Sequence, residues 1–192
     1  MGDPTAVPRI IFWITMGIWG VLEVRTAARR AGSDTGEDRG TQAASLGATI
    51  AGLLAAWLID AILPEVIPAN EHGPFLLGGA VFVAAGVALR IWAIRALGRF
   101  FTCQVMTHSD QRVIAEGPYR FVRHPAYTAL LISCLGVGIA TAHPLSVVVV
   151  IVLPLVGLLR RIAVEEAALE TSLGDDYVAF CRTRKRLIPG VW

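Results

Sequence analysis

Residues 117–127, with the sequence GPYRFVRHPAY, bring two arginines, a histidine and two tyrosines to the edge of a long apolar run. Gly117-Pro118 predicts a turn, because both residues break regular helices. Pro125 fits the first position of a helix, and the residue before a proline is pushed out of the helical region. We therefore expect His124 to be the last extended residue before a helix that begins at Pro125.

The start of that helix is a candidate anion-binding site. The first N–H groups of a helix have no partner within it, and the helix dipole places partial positive charge at the same end. Arg120 and Arg123 add full positive charges close by in the sequence. The simpler alternative is that the stretch is a positively charged anchor at the foot of a transmembrane helix.

Other ionisable residues lie at the ends of two further apolar runs. They are Arg90, Arg95, Arg160, Arg161, Glu165 and Glu166. Ionisable groups near membrane depth are costly and tend to mark functional sites. Each also has a structural explanation, since Arg90 and Arg95 can extend to lipid headgroups. Arg161 and Glu165, four residues apart, can pair along one helix. The basic run 182–186 is well suited to binding anionic membrane lipids.

The composition indicates an all-α integral membrane protein. The chain has 192 residues, of which 55% are hydrophobic and 17% charged, and its mean hydropathy is +0.61. A soluble domain carries about a quarter charged residues. The three cysteines, Cys103, Cys134 and Cys181, are too widely spaced for a disulfide framework or a metal motif. We expect no removable signal peptide, no bound metal and no nucleic-acid partner.

The apolar runs predict about five transmembrane helices in one membrane domain covering residues 1–192. Their approximate bounds are 7–24, 43–63, 75–97, 125–142 and 145–159. The last run, 145–159, is shorter than the roughly 20 residues that a transmembrane helix needs, but strong helix formers follow it. We expect this helix to continue beyond the membrane and to end near Gly174, with the cofactor-binding half of the chain at about residues 90–192.

The distribution of basic residues predicts the orientation. Of the 17 lysines and arginines, all but Arg9, Arg90 and Arg95 fall in the segments 25–42, 98–124 and 160–192. With five spans these three segments share one side, and basic residues are enriched on the cytoplasmic side. The N-terminus is therefore expected outside and the C-terminus in the cytoplasm.

The C-terminal half carries a set of motifs in a defined order. They are LGRFFT at 97–102, GPYRFVRHPAY at 117–127, EEAAL at 165–169, GDDY at 174–177 and RLIP at 186–189. In this order and spacing the chain resembles the isoprenylcysteine carboxyl methyltransferase family, within a wider group that includes phospholipid methyltransferases. The first two spans resemble that family only in being apolar.

The resemblance implies a five-span enzyme that binds S-adenosylmethionine in a cytoplasmic pocket covered by the linker and the C-terminal tail. The family's Arg-His-Pro-x-Tyr and Glu-Glu motifs bind the cofactor. Here they fall on Arg123, His124, Pro125, Tyr127, Glu165 and Glu166. Tyr119 is a further cofactor-binding candidate, and Gln104 and Val105 are candidates for a backbone wall beside the adenosine.

The two glutamates are expected to play different parts. Adjacent residues of a helix point about 100° apart, so only one of Glu165 and Glu166 should face the ligand directly. The other is then free to pair with a basic neighbour. We expect the methionine carboxylate to lie near His124 and the start of the helix that follows it.

Methyl transfer from a sulfonium requires alignment and exclusion of water more than covalent help. A carboxylate acceptor needs no general base, and the resemblance makes Arg160, with Arg161 as second choice, the catalytic arginine that holds it. Arg90, Arg95 and Tyr177 are substrate-binding candidates. An amine acceptor would instead require proton removal, with Glu165 or His124 as the base.

Alternatives remain open at this point. The leading hypothesis is methyl transfer to a prenylcysteine-like carboxylate that enters sideways from the bilayer. A phospholipid amine or a small thiol is the closest alternative acceptor. A membrane reductase that uses NADPH on a related scaffold, and a scaffold protein without catalytic activity, are different classes. The oligomeric state cannot be read from the sequence.

Overall fold

A computed structural model describes residues 3–31, 40–98 and 113–192. For residues 27–31 it describes the backbone only. Helices make up most of this part of the chain. They are α1 (Ala6–Ala31), α2 (Thr41–Ile62), α3 (Gly73–Leu97), α4 (Pro125–Ala140), α5 (Pro144–Leu173) and α6 (Asp175–Thr183). Short 3-10 turns cover Ala69–Glu71 and Gly117–Arg120. Over these ranges the chain forms no strand, only one bridge between Val122 and Lys185.

Four helices, α1, α2, α3 and α5, are long and apolar enough to cross a membrane. The fourth predicted span is an apolar helix of 16 residues, α4. At 1.5 Å per residue it is ~24 Å long, shorter than the ~30 Å hydrocarbon core of a bilayer. The prediction of an all-α integral membrane protein is confirmed, and α4 is its shortest apolar helix.

The helices pack in a row, with α1 against α3, α3 against α4, α4 against α5, and α5 against α2. Small residues bring α3 and α4 close together. A Cβ added to Gly79 would lie 2.5 Å from the carbonyl oxygen of Gly136, and a Cβ on Gly86 would overlap the side chain of Ser133. This close approach sets the start of α4 beside Arg90, one turn beyond Gly86 on α3.

The boundary predicted at Pro125 is confirmed. His124 precedes α4 with φ −124° and ψ 59°, and the helix begins at the proline. The prediction for the last long helix is also confirmed, because α5 runs for 30 residues to Leu173 and Gly174 ends it with φ 56°. At this length of ~45 Å, α5 exceeds the thickness of the hydrocarbon core.

The tail after α6 returns to the start of α4. The backbone N–H of Arg123 donates to the carbonyl of Lys185 at 2.8 Å, and that of His124 donates to the carbonyl of Arg186 at 3.0 Å. The hydroxyl of Thr128 adds a bond of 2.8 Å to the carbonyl of Leu187. These three contacts hold the start of α4 and the tail together.

Candidate functional site

Glu166 is the centre of a buried ionic cluster at the foot of α4 and α5. Its Oε1 lies 3.0 Å from Nε2 of His124 and 3.3 Å from Nη2 of Arg123. Its Oε2 accepts hydrogen bonds of 2.9 and 2.8 Å from Nε and Nη2 of Arg186. A charged hydrogen bond between planar groups of this kind is among the strongest polar contacts in proteins.

The cluster changes how the start of α4 is understood. The sequence predicted an anion at this position, and the carboxylate of Glu166 lies there, against His124 and Arg123. The same contact acts on the tail, because the hydrogen bonds to Glu166 raise the pKa of Arg186 above its ordinary value. Arg186 and Glu166 therefore form a stable link between the tail and α5.

Glu165 belongs to a second, neighbouring group. The hydroxyl of Tyr127 donates a hydrogen bond of 2.6 Å to Oε2 of Glu165. Nε of Arg161 donates to the same hydroxyl at 3.3 Å, and Nη1 donates to the hydroxyl of Thr41 at 3.2 Å. The group thus draws on α2, α4 and α5.

The two groups are joined by stacked rings. His124 and Tyr127 have ring centroids 5.6 Å apart and planes inclined by 21°. His124 contacts Glu166 and Tyr127 contacts Glu165, so the adjacent glutamates engage different partners, as their angular separation requires. Glu166 is buried among basic groups, whereas Glu165 is only partly buried.

An apolar and aromatic core adjoins the ionic cluster. It is a small core formed by Ala93, Tyr119, Ala126, Tyr177 and Phe180. Burial, followed by the nearby acidic groups, raises the pKa of Tyr177 above its ordinary value, so its hydroxyl keeps its proton. That hydroxyl is buried without a hydrogen-bond partner in the described part of the chain. A buried polar atom without a partner is uncommon and calls for an explanation.

The arginines expected at the substrate site lie in different surroundings. Arg90 is buried, pairs with Glu23 on α1 and donates to the carbonyl of Ala126. Arg95 and Arg160 are both exposed, away from the buried groups. Arg161, the second choice for the acceptor arginine, is buried and contacts Tyr127. The geometry therefore brings Arg161, and not Arg160, into the cluster.

Most of the other expected residues can be located. Pro125 opens α4 and is buried, and Tyr119 is buried in the aromatic core. Gln104 and Val105 lie outside the described residues. The sequence did not predict the contact between Arg186 and Glu166, although Arg186 belongs to the RLIP motif at 186–189. Thr41 carries no such signal.

The fold and the site define a class: an all-helical membrane protein with a buried cluster of basic, acidic and aromatic side chains where two helices and the tail meet. Comparison with known families then gives a specific match. Residues 79–171 match the model of the isoprenylcysteine carboxyl methyltransferase family. The matched segment makes up just under half of the chain, and over it the chain is similar to that family.

Several relatives match a similar region. A probable protein-S-isoprenylcysteine O-methyltransferase of Oryza sativa subsp. indica is 33% identical over 106 residues, which cover 54% of this chain and 56% of the relative. Protein-S-isoprenylcysteine O-methyltransferase B of Arabidopsis thaliana is 29% identical over 115 residues, 59% of this chain and 58% of the relative. The uncharacterized protein YpbQ of Bacillus subtilis is 22% identical over 111 residues, 57% of this chain and 66% of that protein. The chain spans somewhat more than half the length of the plant relatives it matches.

Proposed function

We propose that this protein transfers a methyl group from S-adenosylmethionine to a lipophilic acceptor, with the carboxylate of a prenylcysteine-like molecule as the best match. The observation that carries the proposal is the contact between the two motifs expected to bind the cofactor. His124 and Tyr127 at the start of α4 contact Glu166 and Glu165 on α5. The names of the plant relatives support the same acceptor.

The residues present fit the chemical groups of the cofactor. Two buried atoms near the cluster, the hydroxyl of Tyr177 and Nε of Arg123, have no hydrogen-bond partner among the described residues. Arg123 suits the methionine carboxylate, and the partly buried Glu165 suits the ribose hydroxyls or a positive charge. Tyr119, buried in the adjoining aromatic core, supplies a flat ring of the kind that stacks on a purine. When bound, S-adenosylmethionine supplies a methyl group on a positively charged sulfur.

Glu166 has a positioning role in this proposal. Its carboxylate is already paired with His124, Arg123 and Arg186. It therefore orients the residues around the ligand, and Glu165 is the glutamate that faces it. This assignment agrees with the expectation that one member of the pair contacts a basic neighbour.

Arg161 is the residue we assign to the acceptor carboxylate. It is buried within the cluster and is linked through Tyr127 to Glu165. The transfer would form a bond between an oxygen of the acceptor carboxylate and the methyl carbon, break the carbon–sulfur bond and release S-adenosylhomocysteine, with Arg161 holding the carboxylate in line. The acceptor is an anion at neutral pH, so this step requires alignment and no general base.

The acceptor's lipid part gives a reason for the membrane setting. An acceptor with a long apolar chain remains in the bilayer, and its polar end reaches the cluster between the helices. The basic residues around the cluster support a cytoplasmic location for it, with the N-terminus outside. Protease access to a C-terminal tag in vesicles of known orientation tests this topology.

A titration of the detergent-purified protein tests the function. Binding of S-adenosylhomocysteine, measured by calorimetry, and a rise in melting temperature are the expected results. Stabilisation by NADPH alone would instead support a reductase, and no effect of either compound would support a scaffold without catalytic activity. Labelled S-adenosylmethionine offered with a prenylcysteine, a phospholipid amine or a small thiol then identifies the acceptor class.

A further inference from the structure

Arg90 joins three helices through one side chain. It is 2% exposed, and its Nε and Nη2 each lie 2.7 Å from a carboxylate oxygen of Glu23 on α1. Its Nη1 donates a hydrogen bond of 2.9 Å to the carbonyl oxygen of Ala126 on α4. Trp19, one turn before Glu23, donates to the same carboxylate at 3.2 Å. Two of the guanidinium nitrogens, Nη1 and Nη2, therefore donate hydrogen bonds to named oxygen atoms, and Nε forms a close ionic contact with Glu23.

The position of Ala126 gives these contacts their importance. It is the second residue of α4 and lies between His124 and Tyr127 in the sequence. Those two side chains reach Glu166 and Glu165 respectively. The hydrogen bond from Arg90 to the carbonyl of Ala126 therefore restrains the first turn of α4. This is the turn from which the rings of His124 and Tyr127 reach α5.

We propose that Arg90, held in place by Glu23, is a positioning residue for the cofactor site. The charge of Arg90 is already matched by Glu23. Its effect on ligand binding is transmitted through the backbone at Ala126. Glu23 lies on α1, outside the matched segment 79–171, so this helix contributes to the site through the pair.

The geometry of the pair explains why an arginine is needed. A guanidinium presents several donors in a fixed plane, so it can engage both oxygens of one carboxylate and still reach a third acceptor. A lysine ammonium is a point charge and cannot reproduce that arrangement. Glu23 in turn fixes the plane of Arg90, and Trp19 orients Glu23.

The pair also offers a way to separate positioning from folding. Removing one partner of a buried ion pair leaves an uncompensated charge and destabilises the protein. Replacing both partners with apolar residues of similar volume is often neutral or stabilising. The double variant Glu23→Leu/Arg90→Met therefore removes the bond to Ala126 without leaving a buried charge.

Two measurements on the purified full chain test the proposal. The first is hydrogen exchange of the amides in the first two turns of α4, which does not depend on the proposed function. The second is calorimetric titration with S-adenosylhomocysteine, which rests on that function. In the double variant we expect a melting temperature close to the original, faster exchange in α4 and about tenfold weaker binding, the equivalent of one hydrogen bond from a charged group.

Arg25→Met, at an exposed arginine of α1 two residues after Glu23, should change neither measurement. If the double variant does not fold, Arg90→Lys replaces it in both measurements, because it keeps the charge opposite Glu23. The same changes in hydrogen exchange and in affinity are expected. Exchange at the original rate in α4 would overturn the proposal. Faster exchange together with no binding by the unaltered protein would instead contradict the proposed function alone.

Discussion

The hydroxyl of Tyr127 donates a hydrogen bond of 2.6 Å to Glu165, 38 residues further along the chain. Three residues before Tyr127, His124 makes the corresponding contact to Glu166 at 3.0 Å. Two adjacent residues of α5 are thus bound by two side chains at the start of α4. This double link fixes α4 and α5 relative to each other at the site.

Tyr127→Phe is expected to weaken binding of S-adenosylhomocysteine about tenfold. The substitution keeps the ring stacked on His124 but removes the donor that orients Glu165, a charge-assisted hydrogen bond. The melting temperature of the free protein should fall only slightly, because the packing is retained. Calorimetry and thermal melting measure the two effects, and unaltered affinity would mean that Glu165 does not depend on Tyr127.

Glu166→Gln and Glu165→Gln form a matched pair of substitutions on neighbouring residues. Glu166→Gln leaves the largely buried Arg123 and the partly exposed Arg186 without their counter-charge, and should cost about 2 kcal/mol. Glu165→Gln weakens one hydrogen bond to a phenol and should cost about 1 kcal/mol.

Thermal melting in detergent compares the two variants. We expect the larger loss of stability in Glu166→Gln, while Glu165→Gln should lose affinity for S-adenosylhomocysteine without a comparable loss of stability. The reverse order of stability would show that the ionic cluster contributes less than its contacts indicate.

Local rules predicted the elements of the fold well. The boundary at Pro125 follows from the geometry of proline, and the end of α5 follows from Gly174, which has φ 56°. The separation of Glu165 from Glu166 follows from the helical period. Each of these features depends only on residues close together in the sequence.

The side-chain contacts between different helices could not be predicted from local rules. Arg90 was expected at the substrate site, but the packing of α1 against α3 pairs it with Glu23. Hydropathy gives the existence of both helices but not their rotation about their own axes. In the same way, the rotation of α5 about its axis decides which of Arg160 and Arg161 is buried. The local sequence does not predict that rotation.

Alkaline pH should destabilise the protein through Tyr177. Burial raises the pKa of this phenol above its ordinary value of 10.0. The folded state therefore holds the proton where the unfolded chain has lost it, so the stabilisation is complete below pH 10 and is lost as the pH rises toward the folded pKa. The slope is about 1.4 kcal/mol per pH unit. Melting temperatures from pH 8 to pH 11 measure it, and Tyr177→Phe should lack this contribution.

Tyr177→Phe also tests the role of the hydroxyl in binding. In the described part of the chain this hydroxyl has no hydrogen-bond partner, so its removal at pH 7 should leave the melting temperature unchanged or raise it. If the hydroxyl contacts the ligand, affinity for S-adenosylhomocysteine or for the acceptor should fall by about tenfold. Calorimetry with each compound shows which one is affected. Unaltered affinity for both would remove Tyr177 from the binding site.

Arg161 and Arg160 allow the sharpest test of catalysis, because they are adjacent and differ in burial. Arg161 contacts Tyr127 and Thr41, whereas Arg160 is exposed. Arg161→Lys keeps the charge but loses the planar donor set that matches a carboxylate. We expect it to lower turnover about 100-fold with little change in affinity for S-adenosylhomocysteine, because alignment of the acceptor is lost and the cofactor contacts remain.

Arg160→Lys is the matched control and should keep full activity. Equal losses in both variants would indicate a general effect of charge near the membrane surface, and loss in Arg160→Lys alone would return the acceptor site to the exposed arginine.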